Sequence, residues 1–168
     1  MLARKTFTYS KRKSMDTSSD PYLLTRGLNG GAVCTKCHSV LQKKRWTIND
    51  ELYIKKASMK GTVKVHCPAC KKMKDRFPGG ILKLGGNFLR EHRDEIMKLV
   101  KNEEQRARGF NPLERIIGVS DIESGIEITT TNEKLAQRLG KSLQRSFQGK
   151  VVYKWSSGTK LLRAEWNR

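Results

Sequence analysis

Two short stretches, Cys34-Thr35-Lys36-Cys37 and Cys67-Pro68-Ala69-Cys70, decide how this chain can fold. Each has a two-residue gap between its cysteines, which lets one tight turn present both thiolates to a single metal ion. Four thiolates complete a tetrahedral shell, and their softness favours zinc. The pattern therefore predicts one structural zinc ion held by Cys34, Cys37, Cys67 and Cys70, with no open position for a substrate.

The interval between the two pairs, residues 38–66, is longer than in the common two-pair zinc signature. That signature has roughly 15 to 20 residues between its pairs. We therefore expect an elongated hairpin or an insertion between the two turns.

Other roles for the cysteines remain open. The sequence shows no apolar signal segment, so we expect a reducing compartment, the cytoplasm or an organellar matrix, where disulfides do not persist. Buried apolar packing, an iron–sulfur cluster and thiol redox chemistry are the alternatives. A thioredoxin-like site needs Cys-x-x-Cys at a helix start within a βαβ unit, and the sequence predicts that setting for neither pair.

The charge balance points to an acidic polymer as partner. The 168 residues include 35 Lys and Arg against 16 acidic residues, a net charge of +19. Solubility alone needs a charge of roughly 2 to 8, so the excess indicates nucleic acid. We expect no membrane association, because the sequence has neither an apolar run of about 20 residues nor a broad apolar helix face.

Composition and periodicity divide the chain into four parts and predict an α+β fold. Residues 1–31 form a basic extended arm, 32–86 a zinc ribbon-like unit, 87–112 a connecting helix and 113–168 a small ββαββ domain. We interpret the basic start as an arm rather than a transit peptide. The glycine-flanked segment 78–86 is predicted to be a connector or short strand, and residues 156–159 to turn the final hairpin.

Two local patterns predict where helices begin. Asn87 is predicted to be the N-cap of a helix over residues 87–107. Thr130 with Glu133 matches a capping box, followed by an apolar stripe at helical spacing. The stripe consists of Leu135, Leu139, Leu143 and Phe147.

Basic side chains bind phosphates without reading sequence, and interleaved aromatic side chains can stack on unpaired bases, which favours RNA. In the arm we expect RNA contacts from Arg4, Lys5, Tyr9, Lys11, Arg12 and Lys13. In the zinc unit we expect them from Lys36, Lys43, Lys44, Arg45, Lys55, Lys56, Lys71, Lys72, Lys74 and Arg76. Trp46 and Tyr53 are interpreted as packing residues of the zinc unit.

The sequence favours a binding protein over an enzyme. No paired carboxylates, Ser/His/Asp set or activated nucleophile can be placed in one pocket, so we expect neither catalysis nor a small-molecule substrate. An arm, a zinc unit and an α+β domain are typical of ribosomal proteins and ribosome-bound factors. A DNA- or RNA-binding regulator outside the ribosome and a thiol oxidoreductase remain the alternatives.

The segment Thr129-Thr130-Thr131-Asn132-Glu133-Lys134-Leu135-Ala136-Gln137-Arg138-Leu139-Gly140 resembles part of the Nmd-three family, the adaptor of large ribosomal subunits. With the cysteine pairs, the resemblance covers most of residues 32–166. That family has additional cysteine pairs and longer C-terminal domains, so export function does not carry over. The resemblance implies binding to ribosomal RNA, on the large subunit or at the subunit interface, in assembly, hibernation or quality control.

Overall fold

The structure is a computed structural model that describes residues 21–22, 28, 31–156 and 160–168. The strands in these residues are β1 Ala32–Cys34, β2 Ser39–Gln42, β3 Arg45–Ile48, β4 Val63–Val65, β5 Gly80–Gly85, β6 Ile116–Ile122, β7 Gly125–Thr130, β8 Lys150–Trp155 and β9 Leu162–Asn167. The helices are α1 Asp50–Ala57, α2 Pro68–Asp75, α3 Asn87–Glu91, α4 Arg93–Phe110 and α5 Glu133–Phe147. The predicted α+β fold class is confirmed.

Both cysteine pairs lie at one end of the first sheet, the first pair where β1 ends and turns and the second pair just after β4. Its four strands have the order β3-β2-β1-β4, with β1 antiparallel to β2 and parallel to β4. Helix α1 connects β3 to β4 and packs on β1 and β2, so it is the insertion expected between the cysteine pairs. Asn49 caps this helix by accepting a hydrogen bond from the Leu52 N–H at 2.7 Å. The small core consists of Ala32, Leu41, Trp46, Ala69 and three of the cysteines.

The second sheet has five strands in the order β6-β7-β5-β9-β8. Its central strand is β5, which pairs antiparallel with β7 and parallel with β9. The sequence assigned this glycine-flanked segment to the zinc unit and allowed it to be a connector. The glycines instead permit close packing, because a Cβ on Gly80 would lie only 2.6 Å from the Cβ of Ala136 on α5.

The larger core lies between the second sheet and the helices α4 and α5. Alternate residues of β7 are buried, as expected for a sheet with one covered face. The predicted stripe of α5 is buried at Leu135, Leu139 and Leu143, and Phe147 packs at its edge. Helix α4 adds Ile96, Val100 and Ala107 to the same core, so the predicted connecting helix packs with the second sheet.

The predicted capping box of α5 is wrong. The N-cap is Asn132, whose side chain accepts a hydrogen bond from the Leu135 N–H at 3.0 Å. Thr130 is the buried last residue of β7, and its hydroxyl donates to the carbonyls of Gly80 and Asn132. The threonine is therefore committed to the strand and does not cap the helix.

The predicted helix over residues 87–107 is two helices. A break at His92, with φ of −118° and ψ of 26°, separates α3 from α4. Asn87 is the first residue of α3 and not its cap, because Gly86 holds the N-cap position without a side-chain hydrogen bond. The glycine is required there: its φ is +98°, and a Cβ would lie 2.0 Å from the Arg168 carbonyl oxygen.

Several predictions fall on residues that the structure does not describe. They are the arm contacts Arg4, Lys5, Tyr9, Lys11, Arg12 and Lys13, and residues 157–159 of the final turn. Apart from the placement of β5 and α4, the division of the chain into four domains stays a prediction.

Candidate metal centre

The first cysteine pair lies on a tight turn between β1 and β2. Cys34 ends β1, and its carbonyl accepts a hydrogen bond from the His38 N–H at 3.0 Å. His38 has a φ of 60°, in the left-handed region, which turns the chain back directly after Cys37. The turn thereby presents both sulfurs on one side, as the two-residue gap predicts.

The second pair lies on the first turn of a helix rather than on a loop. Cys67 is the N-cap of α2, and its sulfur accepts a hydrogen bond from the Cys70 N–H at 3.5 Å. Pro68 follows as a residue suited to the first turn. Partially free backbone N–H groups and the helix dipole at this position favour negatively charged sulfur.

This placement corrects one argument made from the sequence. A Cys-x-x-Cys at a helix start is a setting that thiol oxidoreductases use, so the absence of that setting no longer counts against redox chemistry. Burial of the second pair does count against redox chemistry. Cys67 and Cys70 are both fully buried, whereas a thiol that attacks other proteins must be accessible. The strands on either side of α2, β4 and β5, also belong to different sheets.

The four sulfurs converge. Their Sγ atoms all lie within 4.8 Å of one another, and those of Cys37 and Cys67 are 3.6 Å apart. A tetrahedral site with metal–sulfur bonds of about 2.3 Å places its sulfurs about 3.8 Å apart. All four cysteines are free, and only Cys37 is partly exposed. The cluster could therefore hold a metal ion, with its shell closed by protein sulfur.

Several donors surround the sulfurs and favour negative charge on them. The backbone N–H of Cys67 donates to the Cys34 sulfur at 3.3 Å, and the Ser39 hydroxyl lies 3.2 Å from the Cys37 sulfur. A guanidinium N–H of Arg115 donates to the Cys70 sulfur at 3.7 Å. Such contacts orient the ligands of a metal and offset the charge of thiolates.

The thiols also perturb one another. Hydrogen bonds, first from Cys37, hold the pKa of Cys34 far below its usual range. For Cys37, the bond with Cys34 raises the pKa, but those with Cys67 and Cys70 outweigh it and lower the pKa to about 5. The pKa values of Cys67 and Cys70 are raised, mainly by their bonds with Cys34. A divalent cation would take the place of the protons that these sulfurs share.

Arg115 and Ser39 were missed by the sequence analysis. Arg115 is 45 residues from the cysteine it contacts, and no local motif marks it. Ser39 directly follows the first turn, where a hydroxyl within reach of sulfur was a signal that could have been used.

The predicted RNA-contacting residues of the zinc unit do not form one cluster. Lys36 lies on the first cysteine turn, and α2 carries Lys71, Lys72 and Lys74, followed by its C-cap Arg76. The turn between β2 and β3 carries Lys43 and Lys44, and Arg45 begins β3, while Lys55 and Lys56 lie in the last turn of α1. Seven of these ten side chains are exposed, and Lys56, Lys71 and Lys72 are half-buried. Their role in RNA binding stays a prediction.

The aromatic residues near the cysteines pack within the protein. Trp46 is buried in the first core, and the Tyr53 ring stacks on the His38 ring at 4.4 Å. Tyr22 stacks on Phe77 at 5.2 Å and donates a hydrogen bond to Asp75 at 3.1 Å. Tyr22 thus packs against the end of α2.

Comparison with known proteins adds no assignment: no family model matches this chain, and no curated protein matches it. Within the described ranges, no helix combines the length and apolarity needed to cross a membrane.

Proposed function

We propose that this chain is a non-enzymatic zinc-binding factor that associates with ribosomal RNA. The zinc assignment follows from the ligands, since four converging thiolates select soft metals and leave no position for substrate. The metal then has a structural role, holding the turn after β1 against the start of α2.

The observation that carries RNA binding is the exposed basic surface of the cysteine-bearing unit. Between residues 36 and 76 the chain has twelve basic residues, of which nine are exposed, against three acidic residues. The exposed nine are Lys36, Lys43, Lys44, Arg45, Lys55, Lys60, Lys64, Lys74 and Arg76. Such a surface binds phosphates by releasing counterions, and its affinity falls steeply with salt.

The choice of ribosomal RNA rests on the resemblance of residues 129–140 to the Nmd-three family, together with the cysteine pairs. Under this proposal the factor acts on the large subunit or at the subunit interface, in assembly, hibernation or quality control. It does so in the cytoplasm or an organellar matrix.

Sedimentation of the tagged protein from a cell lysate tests the proposal. We expect it to move with ribosomal particles at low and near-physiological salt and to leave them at high salt. Excess duplex DNA is added to a second portion of the lysate as the control for a nucleic-acid-binding regulator that acts outside the ribosome. Recovery only in ribosome-free fractions at near-physiological salt contradicts the proposal.

A further inference from the structure

The strand directions divide the basic residues of the first sheet between two ends. Strands β1 and β4 run parallel and both lead into cysteines, which defines the cysteine end. Strand β2 runs away from the cysteines, so the turn between β2 and β3 lies at the opposite end, here called the distal end. Helix α1 starts after β3 and leads to the start of β4, so its C-terminus also lies at the distal end.

Four lysines share this location, and we call them the distal lysine cluster: Lys43, Lys44, Lys56 and Lys60. Lys43 and Lys44 form the turn, while Lys56 and Lys60 lie at and just after the end of α1. The Nζ of Lys56 lies 3.8 Å from the position of a Cβ on Gly31, and Leu41 O lies 3.0 Å from the same position. The ammonium group therefore lies beside the end of β2, close to the turn. The acidic residues of α1 occupy its first turn, at the cysteine end.

The two lysines of the turn have an unusual backbone conformation. Gln42 pairs with Arg45, so the hairpin loop has two residues, and their φ values are 49° and 62°. Two-residue loops with positive φ at both positions strongly favour Asn-Gly. Glycine has no Cβ to clash in this conformation, and the short polar side chain of asparagine tolerates it. Lysine at both positions works against the stability of the hairpin, and such a local cost is often associated with function.

We infer that the distal lysine cluster, led by the Lys43–Lys44 turn, is a site for the phosphate backbone of RNA. This inference rests on the proposed function and narrows it, since the distal end makes the contact and the cysteine end supports it structurally. Strand β3 is at the edge of the sheet, so the turn lies at an accessible corner of the first sheet. Ammonium groups act as point charges toward phosphate, so the site binds RNA without regard to base sequence.

A turn-optimising double variant, Lys43→Asn with Lys44→Gly, tests this inference. Binding is measured by fluorescence anisotropy to an RNA duplex of about 16 base pairs and to a scrambled duplex of equal length, across a salt series. We expect affinity to fall about tenfold for both duplexes and the slope of log affinity against log salt to decrease by about 1.5. Because the turn loses its strain, Tm is expected to rise by about 2–4 °C.

The matched control is Lys134→Gln with Lys141→Gln, which removes the same charge from exposed positions of α5. We expect this control to change affinity by less than about twofold. If wild-type protein binds RNA and both double variants bind equally well, the inference is wrong while the proposed function stands. A wild-type protein that does not bind RNA would contradict both the inference and the proposed function. An unchanged or lower Tm in the turn variant contradicts the cost assigned to the two lysines, and a preference for one duplex contradicts phosphate recognition.

Discussion

The guanidinium of Arg115 donates a hydrogen bond to the sulfur of Cys70 across the boundary between the two sheets, at 3.7 Å. The backbone N–H of Arg115 donates to the hydroxyl of Thr131, the residue after β7, at 2.9 Å, so the arginine is held in place by the second sheet. Lys72 crosses in the other direction, with its Nζ 3.1 Å from the Thr131 carbonyl oxygen. The cysteine cluster and helix α2 are therefore tied to the second sheet by two cationic side chains.

Replacing Arg115 by alanine is expected to weaken metal binding about tenfold, because a divalent ion with four thiolates carries a net negative charge that the guanidinium offsets. Competition with a chromophoric zinc chelator measures this. The control is Arg93→Ala, which removes an exposed arginine of α4 that pairs with Asp121 of β6 at 2.7 Å. Equal affinities for the two variants would show that Arg115 does not act on the metal.

Removal of the metal is expected to unfold the first core and to spare the second. Three of the four cysteines are members of the first core, which is too small to persist without them, whereas the second core contains none. Hydrogen exchange read segment by segment should show residues 32–70 losing protection in chelator and residues 125–143 keeping it. Restoring zinc should restore protection. Protection that survives in a metal-free protein would argue against a structural metal.

Gly80 and Gly109 form a pair of glycines with opposite expected responses to alanine. A Cβ on Gly80 would lie 2.6 Å from Ala136 Cβ and 2.7 Å from Thr130 Oγ1, so Gly80→Ala should cost about 1–3 kcal/mol. Gly109 lies in α4 with nothing within 4 Å of its Cβ position, so Gly109→Ala should stabilise by up to about 1 kcal/mol. Urea unfolding of both variants measures the difference. Similar free energies of unfolding would contradict the close packing of β5 on α5.

Tyr153 is expected to make stability depend on alkaline pH. Burial raises the pKa of its hydroxyl, which donates to the Gln137 carbonyl at 3.3 Å. The unfolded tyrosine ionises near pH 10, before the folded one, so this stabilisation is complete below about pH 10 and is lost as the pH rises through the folded pKa. Tyr153→Phe should therefore be less stable than wild type at neutral pH, by about 1 kcal/mol, with a difference that shrinks above about pH 10. Urea unfolding at neutral pH and at about pH 11 gives the comparison. A stability difference between the two proteins that does not vary with pH contradicts the role assigned to Tyr153.

The sequence was informative where the signal is local and repeated. The spacing of Cys34, Cys37, Cys67 and Cys70 predicted a cluster that the structure confirms as capable of holding a metal. The order of strands and helix after residue 113 was also correct, because apolar residues at period two and at helical spacing do not resemble each other.

The sequence was misleading where one residue type fits two roles. Thr130 matches a helix cap, but its hydroxyl donates to the carbonyls of Gly80 and Asn132, and the side chain of Asn132 caps the helix. The glycines around β5 are typical of flexible connectors and also of sites where elements approach closely. Only the packing of α5 against Gly80 distinguishes these roles, and that contact joins residues far apart in sequence.

The position of β9 has a consequence for the order in which the chain can fold during synthesis. β5 at residues 80–85 pairs with β9 at residues 162–167, and β9 separates β5 from β8. The five-stranded sheet is therefore incomplete until residue 167 has emerged, whereas every segment of the cysteine-bearing sheet is available once residue 75 is exposed. Pairing of such distant segments is slow and leaves strand edges open in the meantime. Capture of a metal by the four cysteines can precede closure of the second sheet, so the cysteine-bearing unit can fold on a nascent chain before the five-stranded sheet does.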